Sequence, residues 1–187
     1  MTADENNYPD PGKVSEDNHS LAQQNRRQIM LSATLQIALA LLYANLGEWL
    51  MHKFILHGLG KKPGSIWAYH WYEHHAICAN NAMLDPGYRR LDLSTWNAQT
   101  KELAVLAAIA LLHLPLLWYW PAFALGLYGS LLLYYGRHRK AHLDPDWARQ
   151  HLHWHFEHHT VPDSGNWCVT WPWFDYLFRT HSSQSRT

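Results

Sequence analysis

From Leu103 to His142 the chain reads LAVLAAIALLHLPLLWYWPAFALGLYGSLLLYYGRHRKAH. Only His113 and Ser130 interrupt the apolar run Leu103–Tyr135, and the run ends on a basic segment that carries His138 and His142. Drawn as one straight helix it would measure about 50 Å, well beyond a hydrocarbon core of roughly 30 Å. The simplest solution is a helical hairpin of two short spans that turns near Trp118-Tyr119-Trp120-Pro121. The aromatic trio suits a membrane interface, and Pro121 can open the second helix. One strongly tilted helix is the alternative.

Upstream, Ile29–Met51 is a second apolar stretch, about long enough to span a bilayer. Ser32, Thr34, Gln36 and Asn45 interrupt it, so one of its faces is expected to pack on protein. The fold class predicted is therefore all-α: an integral membrane helical protein with about three transmembrane helices and a histidine-rich cap. Residues 1–28 are polar and acidic and read as a flexible tail, with no apolar core of the kind a signal peptide needs. Residues 29–181 read as the membrane domain and 182–187 as a second polar tail. The basic residues Lys53, Lys61, Lys62, Arg137, Arg139 and Lys140 lie beyond the spans on the side opposite the N-terminus. Positive-inside bias places that side, and every histidine-rich segment, in the cytoplasm. Arg26 and Arg27 run against this bias.

Charge is balanced, with 15 Lys plus Arg against 15 Asp plus Glu, so no basic field argues for nucleic acid. Histidine occurs 15 times and tryptophan 11 times. The histidines form no homopolymer run, which leaves a metal site as the reading of their abundance. Cys78 and Cys168 make no CxxC pair, so no thiolate zinc or iron–sulfur site is encoded.

Ten histidines fall into four groups: His52-x4-His57, His70-x3-His74-His75, His138-x3-His142 and His155-x2-His158-His159. His70 with His74, and His138 with His142, are spaced to share a helix face, as are His155, His158 and His159. His52 and His57 are five apart, about 140° around a regular helix, and converge only if the helix loosens towards Gly58. Ten neutral imidazoles exceed what one metal takes and suit two metals with about five each. Imidazole serves Zn, Cu, Fe and Ni alike. No HExxH occurs, so a zincin peptidase is not supported.

These four boxes resemble those of the fatty acid hydroxylase superfamily, also called the sterol desaturase family, with its HX4H, HX2–3HH, HX3H and HX2HH boxes and a membrane hairpin between the second and third. The ending is similar too: Asn166 follows the last box, then Trp173-Phe174-Asp175-Tyr176-Leu177-Phe178-Arg179-Thr180, with Arg179 where the family ending usually has Gly. The resemblance covers about residues 45–180. It implies a di-iron centre held by the ten histidines (zinc being possible as isolated), O2 as co-substrate, and hydroxylation of an unactivated C–H bond in a lipid-like substrate from the bilayer. A desaturase or carotenoid-type hydroxylase fits the same boxes, and a membrane metal-binding or transport protein is the non-enzyme rival.

No flavin, cytochrome or dinucleotide motif is present, so a separate electron-donor protein is expected. Arg89, Arg90, Arg137, Arg139 and Lys140 are candidates to dock it, or simple anchoring charges. Glu48, one turn before His52, and Asn166 are the candidate catalytic residues beyond the metal ligands, by bonding a ligand histidine or, for Asn166, ligating through water. Asp144 and Asp175 are further candidates for such support. His151 and His153 are weaker metal candidates. His113, inside the apolar run, is expected as a kink partner or cavity-floor residue. His19 and His181 are expected to be merely solvated.

Overall fold

The computed structural model describes residues 11–161 and 163–182, with side chains from residue 23 onward. It is all-α, with no strand among the described residues. A long helix α1 (Pro11–Leu50) continues directly into a π-helical segment, π1 (Met51–Leu59). A second π-helical segment, π2 (His70–His75), runs into α2 (Ala76–Asn80). Two long helices follow, α3 (Ala98–Leu112) and α5 (Pro121–Leu143), with the short α4 (Leu116–Tyr119) between them. The chain closes with α6 (Pro145–His151), α7 (His153–Thr160) and α8 (Trp173–Leu177).

The hairpin expected from the apolar run is present. Helix α3 stops at Leu112, two residues before the Leu114-Pro115 bond, because the residue before proline is pushed out of helical geometry. Pro121 occupies the first turn of α5, where its missing N–H is no loss. Glu102 lies beside His138 and Tyr128 bonds the Ala110 carbonyl, so α3 and α5 run antiparallel. Helices α1 and α5 pair over a long interface. There Phe123 N donates to Gln36 and Ala40 packs on Leu127, so these two run parallel. Both therefore deliver their C-terminal ends, with π1 and the His138 pair, to the same end of the bundle.

The parallel pair is close because Gly126 faces Ala40: a Cβ at Gly126 would sit 3.0 Å from the Ala40 Cβ and 3.4 Å from the Ile37 Cα. Small residues let helix backbones approach in this way. Gly126→Leu is expected to force α1 and α5 apart and lower the thermal midpoint, read by circular dichroism of the solubilised protein. An unchanged midpoint would show that this contact carries no packing.

Two expectations change. Among the described residues only one helical segment, Gln23–Leu59, is both long and apolar enough to cross a membrane. α3 is about 22 Å long, and the basic end of α5 belongs to the histidine cap, which leaves a short apolar part. The structure thus contains three long helices, but the expected count of three full spans is not met by length and composition. Second, part of the stretch read as a flexible tail is helical, since α1 begins at Pro11. Residues 1–10 and 183–187 of the expected tails, and the side chain of His19, lie outside what the structure describes.

Candidate metal centre

All ten box histidines are buried and meet at one end of the bundle. They form two adjoining groups. His52, His57, His70, His75 and His158 present ring nitrogens within 4.8 Å of one another, and His74, His138, His142 and His159 do the same. His155 joins the second group, its Nε2 lying 3.3 Å from Nε2 of His142.

The grouping follows from the helix type. In a π-helix the backbone bonds run from i to i+5. Side chains five apart therefore come to one face, as side chains four apart do in an α-helix. His52 and His57 converge because π1 is π-helical throughout, not because the helix frays at Gly58: their ring centroids are 5.0 Å apart. In π2 the pair is His70 with His75, and His74 turns to the second group. His70 and His74, expected to share a helix face, are thus divided between the two groups. The last box, expected to share one face, is divided as well: α7 sends His158 to the first group and His159, with His155, to the second. His138 and His142, four apart on regular α5, pair as spaced, with their Nε2 atoms 3.2 Å apart, and so do His155 and His159, four apart on α7, with ring centroids 4.7 Å apart.

The donor set fits two metal ions. In the first group, Nε2 of His52 is 3.0 Å from that of His70, and His57 and His75 are also 3.0 Å apart. Nε2 of His158 lies 3.1 Å from His57 and 3.2 Å from His75. With a metal–imidazole bond of about 2.0–2.1 Å, neighbouring ligands stand about 3.0 Å apart in an octahedron and about 3.4 Å in a tetrahedron. Nitrogens this crowded cannot all hydrogen-bond one another. In the second group Nε2 of His74 and both ring nitrogens of His159 are buried without a hydrogen-bond partner. A metal ion in that group would satisfy Nε2 of His74 and one ring nitrogen of His159.

The outer ring nitrogens are held the way metal ligands are held, by acceptors that fix the tautomer and leave Nε2 free. His52 Nδ1 donates to the Trp167 carbonyl (2.6 Å), His142 Nδ1 to the Met83 carbonyl (3.0 Å) and His158 Nδ1 to the Gly165 carbonyl. His74 Nδ1 meets the buried Asp85 carboxylate at 3.3 Å. His138 Nδ1 lies 2.7 Å from Glu102 and 3.1 Å from the Tyr88 hydroxyl, which itself donates to Glu102 (2.5 Å).

Burial pushes His70, His75, His155 and His159 well below the ordinary imidazole range, and His158 down to about 4. Neutral imidazole is the form that binds metal. The sign for stability is fixed by the same shift. In the unfolded chain these rings take up protons from about pH 6.5 downward, while the folded ones do not, so folding weakens as pH falls. Metal-free protein is expected to lose stability steeply between about pH 6.5 and pH 4, by up to about 1.4 kcal/mol per pH unit for each such histidine. Denaturant titrations across that range check this; a flat profile would mean that the rings are solvated.

Neither Glu48 nor Asn166 reaches a ligand. Glu48 takes its bonds from Val169 N (3.0 Å), Thr170 N (2.9 Å) and the Thr170 hydroxyl (2.6 Å), so it ties α1 to the C-terminal segment. Asn166 sits at positive φ (56°), a conformation asparagine tolerates, and its side chain bonds Ser182 and Glu157. It shapes the loop that presents the Gly165 carbonyl. Asp175 also acts at one remove, accepting from Trp167 N (2.9 Å) and Cys168 N (2.8 Å) and so holding the carbonyl that His52 uses. Asp144 caps α6. His151 stacks on Trp147 at the surface, and His153 and His181 stand apart from both groups. Gly165 has φ +69°, and a Cβ there would fall 2.3 Å from the Thr180 carbonyl oxygen. Gly165→Ala is expected to displace the loop, weaken the His158 contact and lower metal retention on dialysis about tenfold or more; full retention would show that the loop position is unimportant.

Asp85, Glu102 and Tyr88 join the site without having been expected there. Asp85 stood in the breaker Asp85-Pro86-Gly87, and Glu102 at the polar mouth of the apolar run. An acid placed just before such a run was the signal available.

An apolar cavity of about 260 Å³ lies between α1, α3 and α5. Its wall includes Leu106, Ile109, Leu127 and Leu131; His52 closes it at the metal end and His113 lines it too. The expected floor position of His113 matches this lining. A wider cleft of about 770 Å³ opens on the other side, over His57, His75, His158 and His159.

The comparison with curated proteins and the comparison with solved structures found no match. A family model described as fatty acid hydroxylase matches residues 37–180. That range takes in all ten converging histidines, the helices that carry them and the C-terminal segment that holds them, and the chain belongs to the fatty acid hydroxylase family.

Proposed function

We propose that this protein is a membrane-embedded oxygenase. It holds two iron ions in its ten histidines and uses O2, with electrons from a separate donor protein, to hydroxylate an unactivated C–H bond of a lipid-like substrate. The observation that carries the reading is the juxtaposition of a paired histidine centre with an apolar cavity, His52 being part of both. Family membership supports the oxidoreductase class.

The first group would hold one ion and His74, His138, His142, His155 and His159 the other. Bound iron supplies the activation of O2, of which one atom enters the C–H bond and the other leaves as water with two electrons and two protons. The chain's own part is positioning and exclusion. Leu106, Ile109, Leu127 and Leu131 strip water from an apolar chain and orient it towards His52, which converts an encounter into a fixed geometry. Asp85, Glu102 and the carbonyls of Met83, Gly165 and Trp167 keep the imidazoles aimed.

Support for the bilayer comes from the helix surfaces. Leu31 and Leu35 on α1, Leu111 and Leu112 on α3, and Leu125 and Leu132 on α5 are exposed. A belt of that size is unusual on a soluble monomer. The charge bias supports a cytoplasmic histidine end.

The test is metal analysis of protein made in iron-fed cells, followed by O2 consumption with a reductant and mass analysis of lipid extracts from cells with and without the protein. A gain of one oxygen in a lipid is the expected result. A loss of two hydrogens makes the outcome desaturation. Tightly held zinc with no turnover overturns the oxygenase reading and favours a metal-binding protein.

A further inference from the structure

The cavity is apolar along its walls but polar at both ends. At the metal end it meets His52, Glu48 and Glu102; at the far end it meets Tyr43 and His113. Nine residues of helix separate Tyr43 from His52, about 14 Å along the axis. The far end is an organised pair. The Tyr43 hydroxyl lies 2.9 Å from His113 Nε2, and the two rings meet edge to face at 5.6 Å. Phe123 holds the Tyr43 ring from another side, at 5.7 Å.

The direction of that hydrogen bond is set by its neighbour. His113 Nδ1 lies 2.8 Å from the Ile109 carbonyl, which can only accept. Nδ1 therefore carries the proton, Nε2 is the acceptor, and the Tyr43 O–H donates to it. With its proton committed, the phenol oxygen offers the cavity only lone pairs. Such a site pairs with an O–H or N–H donor and gains nothing from a ketone, an ester carbonyl or a hydrocarbon.

We propose that Tyr43, oriented by His113, is a specificity residue that selects substrates bearing a hydroxyl at the end remote from the carbon to be oxidised. This deepens the oxygenase reading and rests on it for the word substrate. The hydroxyl anchors at Tyr43, the apolar body lies along Leu127, Leu131 and Ile109, and the opposite end is presented to the histidines. A bond that merely tied α1 to the end of α3 would give no preference among ligands.

The experiment uses the full chain, metal-free, in nanodiscs, with dodecanol, the matching dodecanone and dodecane each displacing a pyrene-labelled alkane from the cavity. The wild type is expected to hold dodecanol about tenfold more tightly than either of the others, the worth of one net hydrogen bond. Tyr43→Phe is expected to erase that preference while leaving dodecane within about twofold. His113→Leu frees the tyrosine proton and is expected to bring dodecanone level with dodecanol. Equal affinities in the wild type, a preference that survives Tyr43→Phe, or no displacement by any of the three overturns the proposal. Should Tyr43→Phe fail to fold, the dodecanone arm of His113→Leu decides alone. Because no metal or turnover enters the measurement, a failed oxygenase reading would leave the alcohol preference intact. A failed anchor would leave iron-dependent turnover intact.

Discussion

Alanine at both His75 and His158 is expected to empty one metal position and spare the other. Alanine at both His158 and His159 is expected to cripple both. The first pair is far apart in the chain but belongs to one group, with Nε2 atoms 3.2 Å apart. The second pair is adjacent in the chain but divided between the groups. Metal analysis after dialysis separates the cases: bound metal should fall by about half in the first variant and to near zero in the second. Both should lose turnover by more than about 100-fold, beyond the ten- to hundredfold loss that follows when only the support of a ligand is removed. Equal metal loss in the two variants would show that the histidines form one undivided site. The companion pair His74 and His159, both of the second group, is expected to behave like the first variant.

Replacing Glu102 by alanine is expected to weaken metal retention ten- to hundredfold, with loss from the second group. Glu102 is buried, stands 2.7 Å from Nδ1 of His138 and accepts the Tyr88 hydroxyl. Its removal frees the His138 ring and leaves a buried phenol without its acceptor, which costs a further 1–3 kcal/mol or so of stability. Tyr88→Phe is the control, since it keeps the carboxylate beside His138 and should cost far less metal. If Tyr88→Phe and Glu102→Ala lose metal equally, the hydroxyl and not the carboxylate orients His138. Glu48→Gln makes a contrast from the same cavity wall. Its carboxylate bonds the 169–170 backbone and no ligand, so metal content should hold while the thermal midpoint falls.

Much of this protein is legible in the chain itself. Apolar periodicity is local, so the helical class, the hairpin and its start at Pro121 can be read from the run Leu103–Tyr135. The ten converging histidines can be read because histidine at such density and spacing suits little besides a metal site. Asp85 and Glu102 cannot. A carboxylate that supports a ligand acts across the fold, on His74 and His138, and leaves no mark in its own neighbourhood. The partners of Glu48 and Asn166 are hidden for the same reason: sequence proximity to a histidine says nothing about which way a side chain bonds.

Which ten residues gather, and that they gather at one end of a helical bundle, follows from the order of the residues alone. Their number, type and placement at the ends of apolar runs allow little else. How the ten divide is settled in three dimensions. In the first two boxes that division depends on whether a turn is α or π, a difference of one residue in the hydrogen-bond ring that propensity does not encode. In π1 and π2 the wider turn brings His52 to His57 and His70 to His75, and sends His74 across to the other group. The histidines that this turn meets, on α5 and α7, lie far away in the chain and enter no local sequence window.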